Sequence, residues 1–298
     1  LDADNDLDVI LGVAPDGFLG DPIIYLENID ESGNKDTPVF EKKENLNSPL
    51  DGFLAAGDYT DPNINATPVF IDVDNDGDKY VLFGQRYSSE IVYYENVNGE
   101  FIPAPSPLIT DNLFENIVPT AVDINGDGFE DIFIGQSEFL PDYPGILFFI
   151  NNQDGTFTQA EPEDNPFSSL TGGTFRLVFI DIDKEDDDDD SNNDIDALVN
   201  DGNGNLLFFR NTGNPLVPDF EEETGTTPAD YLPTSSEGLY KPFDVNGDGY
   251  MDIVYANDLD PELKVFINKG DETFEEKAPA DNPFTGVIID RLANAGVI

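Results

Sequence analysis

One short acidic pattern recurs along the chain and limits what it can fold into: Asp, any residue, Asp or Asn, any residue, Asp, Gly, two residues, Asp, then an apolar run. The fullest copies run from Asp123 to Asp131, followed by Ile132-Phe-Ile134, and from Asp244 to Asp252, followed by Ile253-Val-Tyr255. A third opens Asp72-Val-Asp74-Asn-Asp76-Gly77. Alternating carboxylates on a tight turn set several hard oxygens on one concave side, and Gly supplies the positive backbone angle the turn needs. Oxygens at that density repel one another unless a hard cation sits among them, and calcium takes about six to eight such ligands.

The copies are in register. Aligned on the first Asp, full starts fall at Asp72, Asp123, Asp181 and Asp244, so the spacings are 51 (123−72), 58 (181−123) and 63 (244−181). The chain begins inside a first copy: Asp8 takes the ninth position, and Asp2 and Asp4 the third and fifth. In the second copy Tyr80 stands at the ninth position, with Asp78 placed to compensate. The fourth is swollen by seven residues (196−181 is 15, against 131−123, which is 8). Asp181 and Asp183 open it, and Asp194 and Asp196 close it. Its insert, Lys184-Glu-Asp-Asp-Asp-Asp-Asp190, reads as a solvated loop or as a second, looser cation site.

The segments between loops repeat as well. An apolar strand leads into each loop (Thr67–Ile71, Pro119–Val122, Leu177–Ile180) and a second leaves it (Val9–Leu11, Val81–Phe83, Ile132–Ile134, Ala197–Val199, Ile253–Tyr255). A third ends in Asn, at Asn28, Asn96, Asn151, Asn211 and Asn268, and a shorter fourth carries one Phe. Units often close on Asn-Pro-Phe or Ser-Pro-Leu. Short strands rich in Val, Ile, Phe and Tyr between Gly, Asn, Asp and Pro predict antiparallel meanders. Their middle strands are apolar on both faces, which suits sheets covered on both sides. Four-stranded sheets at this period are blades of a β-propeller. A β-sandwich is the rival, but would not place a metal loop at the same point of every unit.

The expected fold is therefore all-β: a single β-propeller over residues 1–298, with units at about 1–54, 55–112, 113–170, 171–234 and 235–287. The tail, 288–298, resembles a strand leading into a loop. It either completes the first blade or begins a further unit. The aromatic pairs Tyr93-Tyr94, Phe148-Phe149 and Phe208-Phe209 are expected in the core, because strand neighbours point to opposite faces.

Charge and composition exclude several functions. With 63 acidic and 13 basic residues the net charge is −50, which repels nucleic acid and anionic membrane surfaces. Five filled calcium sites would cancel only about 10 of those charges, at two each. Most of the acidity is thus a solvated surface, suited to a saline, marine setting. No run reaches the ~18 apolar residues of a membrane span. The chain has no Cys and no His. That removes disulfides, thiolate chemistry, Ser-His-Asp triads and nearly every catalytic zinc site.

Taken together, the five acidic loops and the strands between them resemble the FG-GAP / VCBS repeat family, the calcium-loop β-propellers also found in integrin α-subunit heads. The resemblance implies calcium ions that rigidify the loop between the first two strands of a blade, and a usual ring of about seven blades. It implies the ligands Asp123, Asn125, Asp127 and Asp131 in the third loop, and Asp244, Asn246, Asp248 and Asp252 in the fifth. The carbonyls of Phe129 and Tyr250 would join them. The matching residues elsewhere are Asp72, Asp74 and Asp76; Asp2, Asp4 and Asp8; and Asp181, Asp183 and Asp196.

The expected function is non-enzymatic: an extracellular or cell-surface, bacterial calcium-binding propeller for adhesion, recognition or filament assembly, with a protein, another copy or a glycan as partner. A lectin-like module is the first alternative. A carbohydrate-active enzyme is the second, since glycoside hydrolysis needs only two carboxylates ~5–10 Å apart.

Overall fold

Each repeated unit folds as the sequence pattern dictates, into short antiparallel strands hydrogen-bonded in chain order. The computed structural model describes residues 9–13, 23–29, 40–43, 66–85, 91–97, 100–108, 116–137, 144–182, 195–213, 218–236, 238–257, 260–285, 287 and 292–297. No α-helix occurs among them; a 3-10 turn covers Pro228–Tyr231.

The first sheet holds β1 (Val9–Val13), β2 (Ile23–Asn28) and β3 (Phe40–Lys43). The second is β4 (Ala66–Ile71), β5 (Tyr80–Gln85), β6 (Val92–Val97) and β7 (Glu100–Ala104). The third is β8 (Val118–Val122), β9 (Asp131–Gly135), β10 (Ile146–Asn151) and β11 (Phe157–Gln159). The fourth is β12 (Arg176–Ile180), β13 (Asp196–Asn200), β14 (Leu206–Asn211) and β15 (Phe220–Glu222). The last is β16 (Leu239–Phe243), β17 (Asp252–Asn257), β18 (Asp260–Asn268) and β19 (Phe274–Glu276). β20 (Leu292–Val297) pairs with β1 as the fourth strand of the first sheet, so that sheet joins the two ends of the described chain.

The sheets meet face to face through their alternating side chains. On β9, Ile132 and Ile134 pack toward the second sheet with Leu82 and Tyr93, while Phe133 packs toward the fourth with Phe179 and Phe209. Phe133 lies flat on its cross-strand partner Phe148, with ring centroids 4.3 Å apart. The aromatic pairs divide as expected of neighbours on a strand: Tyr93 faces the third sheet and Tyr94 the first, while Phe208 faces the last and Phe209 the third. Burying such a ring contributes roughly 1.5–3 kcal/mol, so these apolar interfaces hold the sheets together.

Two of the described interfaces are capped in the same way by the segment that closes a unit. The side-chain oxygen of Asn165 accepts from the Phe167 N–H, and its amide donates to the Ile146 carbonyl. Phe167 is thereby driven fully into the gap, its ring edge-on to Phe133 and to Phe209. Asn282 and Phe284 repeat the device, and Phe284 stacks on Phe40 of the first sheet at 4.7 Å. The innermost strands β4, β8, β12 and β16 face a common axis, and each touches the next; β20 touches both β16 and β4. Pro68, Pro119 and Pro242 sit on these strands. An innermost strand has no neighbour on its axial side, so a missing N–H costs no ladder bond there. The molecule is thus an all-β propeller arrangement of four-stranded antiparallel sheets.

Candidate functional site

The acidic loops join the innermost strand of a sheet to the next strand, and three of them share one geometry. The first Asp turns its Oδ2 to the N–H of the Gly at position six: Asp72 to Gly77, Asp123 to Gly128 and Asp244 to Gly249, each at 2.9 Å. Those glycines have φ of +93°, +89° and +87°, and position four is also left-handed, at Asn75 (+57°), Gly126 (+66°) and Gly247 (+70°). Two left-handed residues coil the backbone so that its N–H groups point inward. They hold the carboxylates at their roots, and among the described residues three carboxylates converge in the second loop alone.

In the second loop the converged set is Asp72, Asp74 and Asp76, whose ligand oxygens lie within 4.8 Å of one another. Burial, then the charges of Asp76 and Asp72, raise the Asp74 pKa. Tyr80 takes the ninth place as a ring stacked on Tyr93, 5.8 Å between centroids, and Asp78 stays exposed.

In the third loop Asn125 binds the Asp127 N–H through Oδ1 and donates its amide to Asp131 Oδ2 at 3.2 Å. This brings Asn125, Asp127 and Asp131 to one hollow beside Asp123. Asp131 is fully buried, and its Oδ1 accepts the Asn151 N–H at 2.8 Å. Burial pushes its carboxyl up to about 7, helped by Asp127 and Asp123, with the Asn151 N–H pulling the other way.

In the fifth loop Asn246 likewise accepts the Asp248 N–H, but donates its amide to Asp248 Oδ2 at 2.8 Å instead of to the ninth carboxylate, Asp252. Buried Asp252 accepts from the N–H groups of Asn268 (2.8 Å) and Val245 (3.0 Å), and burial raises its pKa to about 6. Asp244 Oδ1 is buried with no hydrogen-bond partner. An orphaned buried carboxylate oxygen costs several kcal/mol, of order 1–3 or more, so this hollow lacks a positive group in the chain itself.

The fourth loop is different. Asp196 is buried and accepts the Asn211 N–H at 2.8 Å, as its counterparts do. Its Oδ2, however, lies 4.0 Å from the Arg210 guanidinium, which also holds Glu223 at 3.1 Å and Glu272 of the last sheet at 2.9 Å. Arg210 sits 5.1 Å from the Phe208 ring centroid. Burial works against its charge, but Asp196, Glu272 and Glu223 outweigh it and raise its pKa. An internal cation thus stands beside this ninth carboxylate. Asp181 directly follows β12, whereas Asp183, like Asp2, Asp4 and Asp8, lies outside the described residues.

Sequence reasoning marked the terminal Asn of each third strand but gave it no role. Asn151 donates its side-chain amide to the carbonyls of Val73 (3.0 Å) and Glu130 (3.1 Å), joining the second loop to the third. Asn268 does the same to Ile182 (2.8 Å) and Met251 (3.2 Å), joining the fourth to the fifth. Glu130 strengthens the first link by accepting the Asp72 N–H at 2.7 Å. The signal was present as an invariant ending of the repeat; its partners, in a neighbouring unit, were not.

A family model described as FG-GAP-like repeat matches residues 72–134, 123–190 and 244–293, more than half of the chain. Comparison with curated proteins gives no match. Among solved structures, that of an Agrocybe aegerita lectin, described for its specific recognition of non-reducing terminal N-acetylglucosamine, is 17% identical with a TM-score of 0.47. The match covers 93% of this chain and 65% of the lectin chain.

Proposed function

The chain belongs to the FG-GAP-like repeat family, and on that premise we propose that it is a non-enzymatic, extracellular calcium-binding propeller whose five sheets form one ring used for adhesion, recognition or assembly. The observation that carries the metal reading is the buried, unpartnered Asp244 Oδ1 beside buried Asp252. The donor set is all oxygen, hard and anionic, which suits calcium over softer-ligand metals. Asp244, Asn246, Asp248 and Asp252 would hold the ion in the fifth loop, and Asp123, Asn125, Asp127 and Asp131 in the third. Asp72, Asp74 and Asp76 would do so in the second. The ion would supply the positive charge these hollows lack.

Calorimetric titration of calcium into decalcified protein, with the melting temperature followed alongside, tests this. Saturation at about 100 times the dissociation constant adds ~2.7 kcal/mol per site, so the melt should rise by about 5 °C or more. Asp244→Asn should remove one binding equivalent. Identical melts in excess EDTA and in millimolar calcium would sink the metal reading. A propeller arrangement of four-stranded sheets with exposed acidic loops supports the recognition role. A protein, a second copy of this chain or a glycan would be its partner. Glycan arrays separate the glycan from the other two, and ordered polymers in calcium single out self-assembly.

A further inference from the structure

The innermost strands line an open cavity of about 530 Å³, which loop residues also border. That size lies within the ~300–1,000 Å³ of small-molecule sites. Four equivalent residues, each three positions before the first Asp of its loop, contribute one layer of its wall: Val69, Thr120, Val178 and Lys241. Thr120 is occupied, its hydroxyl donating to the Leu177 carbonyl at 3.0 Å. Two valines and a bonded threonine leave Lys241 as the charge of this layer. The other charged residues lining the cavity are Lys79, Glu130 and Asp181. Lys79 and Glu130 stand at the eighth loop position and pair with each other at 3.3 Å, and Asp181 begins a loop. Among the described residues no hydrogen bond or ion pair holds the Lys241 ammonium, and burial alone lowers its pKa, to about 8. An unpaired and only partly exposed ammonium on a largely apolar wall gains from an anion beside it. It is also unusual in a chain with only 13 basic residues against 63 acidic.

We propose that the central cavity is a binding site for a small amphipathic carboxylate, its headgroup paired with Lys241 and its hydrocarbon part against the innermost strands. Its anchoring charge, Lys241, lies on an innermost strand and is not one of the proposed metal ligands, although Lys79, Glu130 and Asp181 of the loops also line the cavity. A carboxylate carries the single negative charge that one ammonium balances, whereas a dianion such as a phosphate monoester would need a second cation that this layer lacks. The apolar walls, built from residues such as Val69 and Val178, take the tail.

Hexanoate titrated calorimetrically into the full chain is the test, with 1-hexanol as the uncharged probe of equal length. Wild-type protein should bind one hexanoate saturably, and hexanol about tenfold more weakly or worse, because a charge-assisted contact is worth ~1.5–3 kcal/mol. Lys241→Met, checked for native circular dichroism, should lose about tenfold in hexanoate affinity and keep its affinity for hexanol. Absence of saturable hexanoate binding to wild type overturns the proposal. So does hexanol binding as tightly as hexanoate, or a folded Lys241→Met protein with unchanged hexanoate affinity. Should the variant fail to fold, the hexanoate–hexanol contrast on wild type decides alone.

Discussion

Asn151 does more for the acidic loops than its neutral side chain suggests. Its backbone N–H holds the buried Asp131, and its amide holds two carbonyls, one of them in the neighbouring loop. Asn151→Ala leaves both carbonyls unsatisfied in a buried place, and should cost ~2–3 kcal/mol in urea unfolding while weakening calcium binding at the third loop. Lys241 yields a second residue-scale expectation. Its folded pKa, about 8, lies below the ordinary 10.5, so between those values the unfolded chain binds more protons and stability gains with rising pH. The gain is at most about 1.4 kcal/mol per pH unit. Comparing unfolding of wild type and Lys241→Met from pH 8 to 10.5 isolates it, and equal slopes would contradict the burial. Neither role was legible beforehand. A terminal Asn and a strand Lys look ordinary until the neighbouring unit shows what they face.

The strands, by contrast, were legible because each carries its signature beside a loop at a fixed offset. Ile132-Phe-Ile134 read as a strand buried on both faces, and it packs into two different sheets. The fourth unit was less readable. Its insert displaced Asp196 from the expected spacing, and nothing near it in sequence announced that Arg210 would stand beside it. The glycine ending β9 has a reason that its sequence neighbours do not show. Gly135 sits where the backbone of Phe175 crosses, and a Cβ there would collide with the Phe175 carbonyl. Gly135→Ala must push the third and fourth sheets apart, at a cost of ~1–3 kcal/mol. Thermal melting measures that loss, and an unchanged melt would mean the sheets can separate freely at this point.

For the whole molecule, the arrangement around an axis followed from the repeat period, whereas the place of the tail was open between two readings. β20 lies between β1 and the axis, in contact with β4 and β16. Deleting residues 288–298 should leave β1 with an unpaired edge, and the protein should become less stable and prone to self-association. Light scattering and denaturant unfolding check this; a monomeric protein of undiminished stability would show that the pairing is dispensable. The scale of the surface charge was plain from composition, but the inward-facing ammonium was not.

Glu130 grips the start of the second loop from a position 58 residues further along the chain. Two hollows that are distant in sequence are therefore mechanical neighbours. Whatever stiffens one restricts the freedom of the other, so the affinities of successive hollows should not be independent constants: loading one should be reported by the next around the rim.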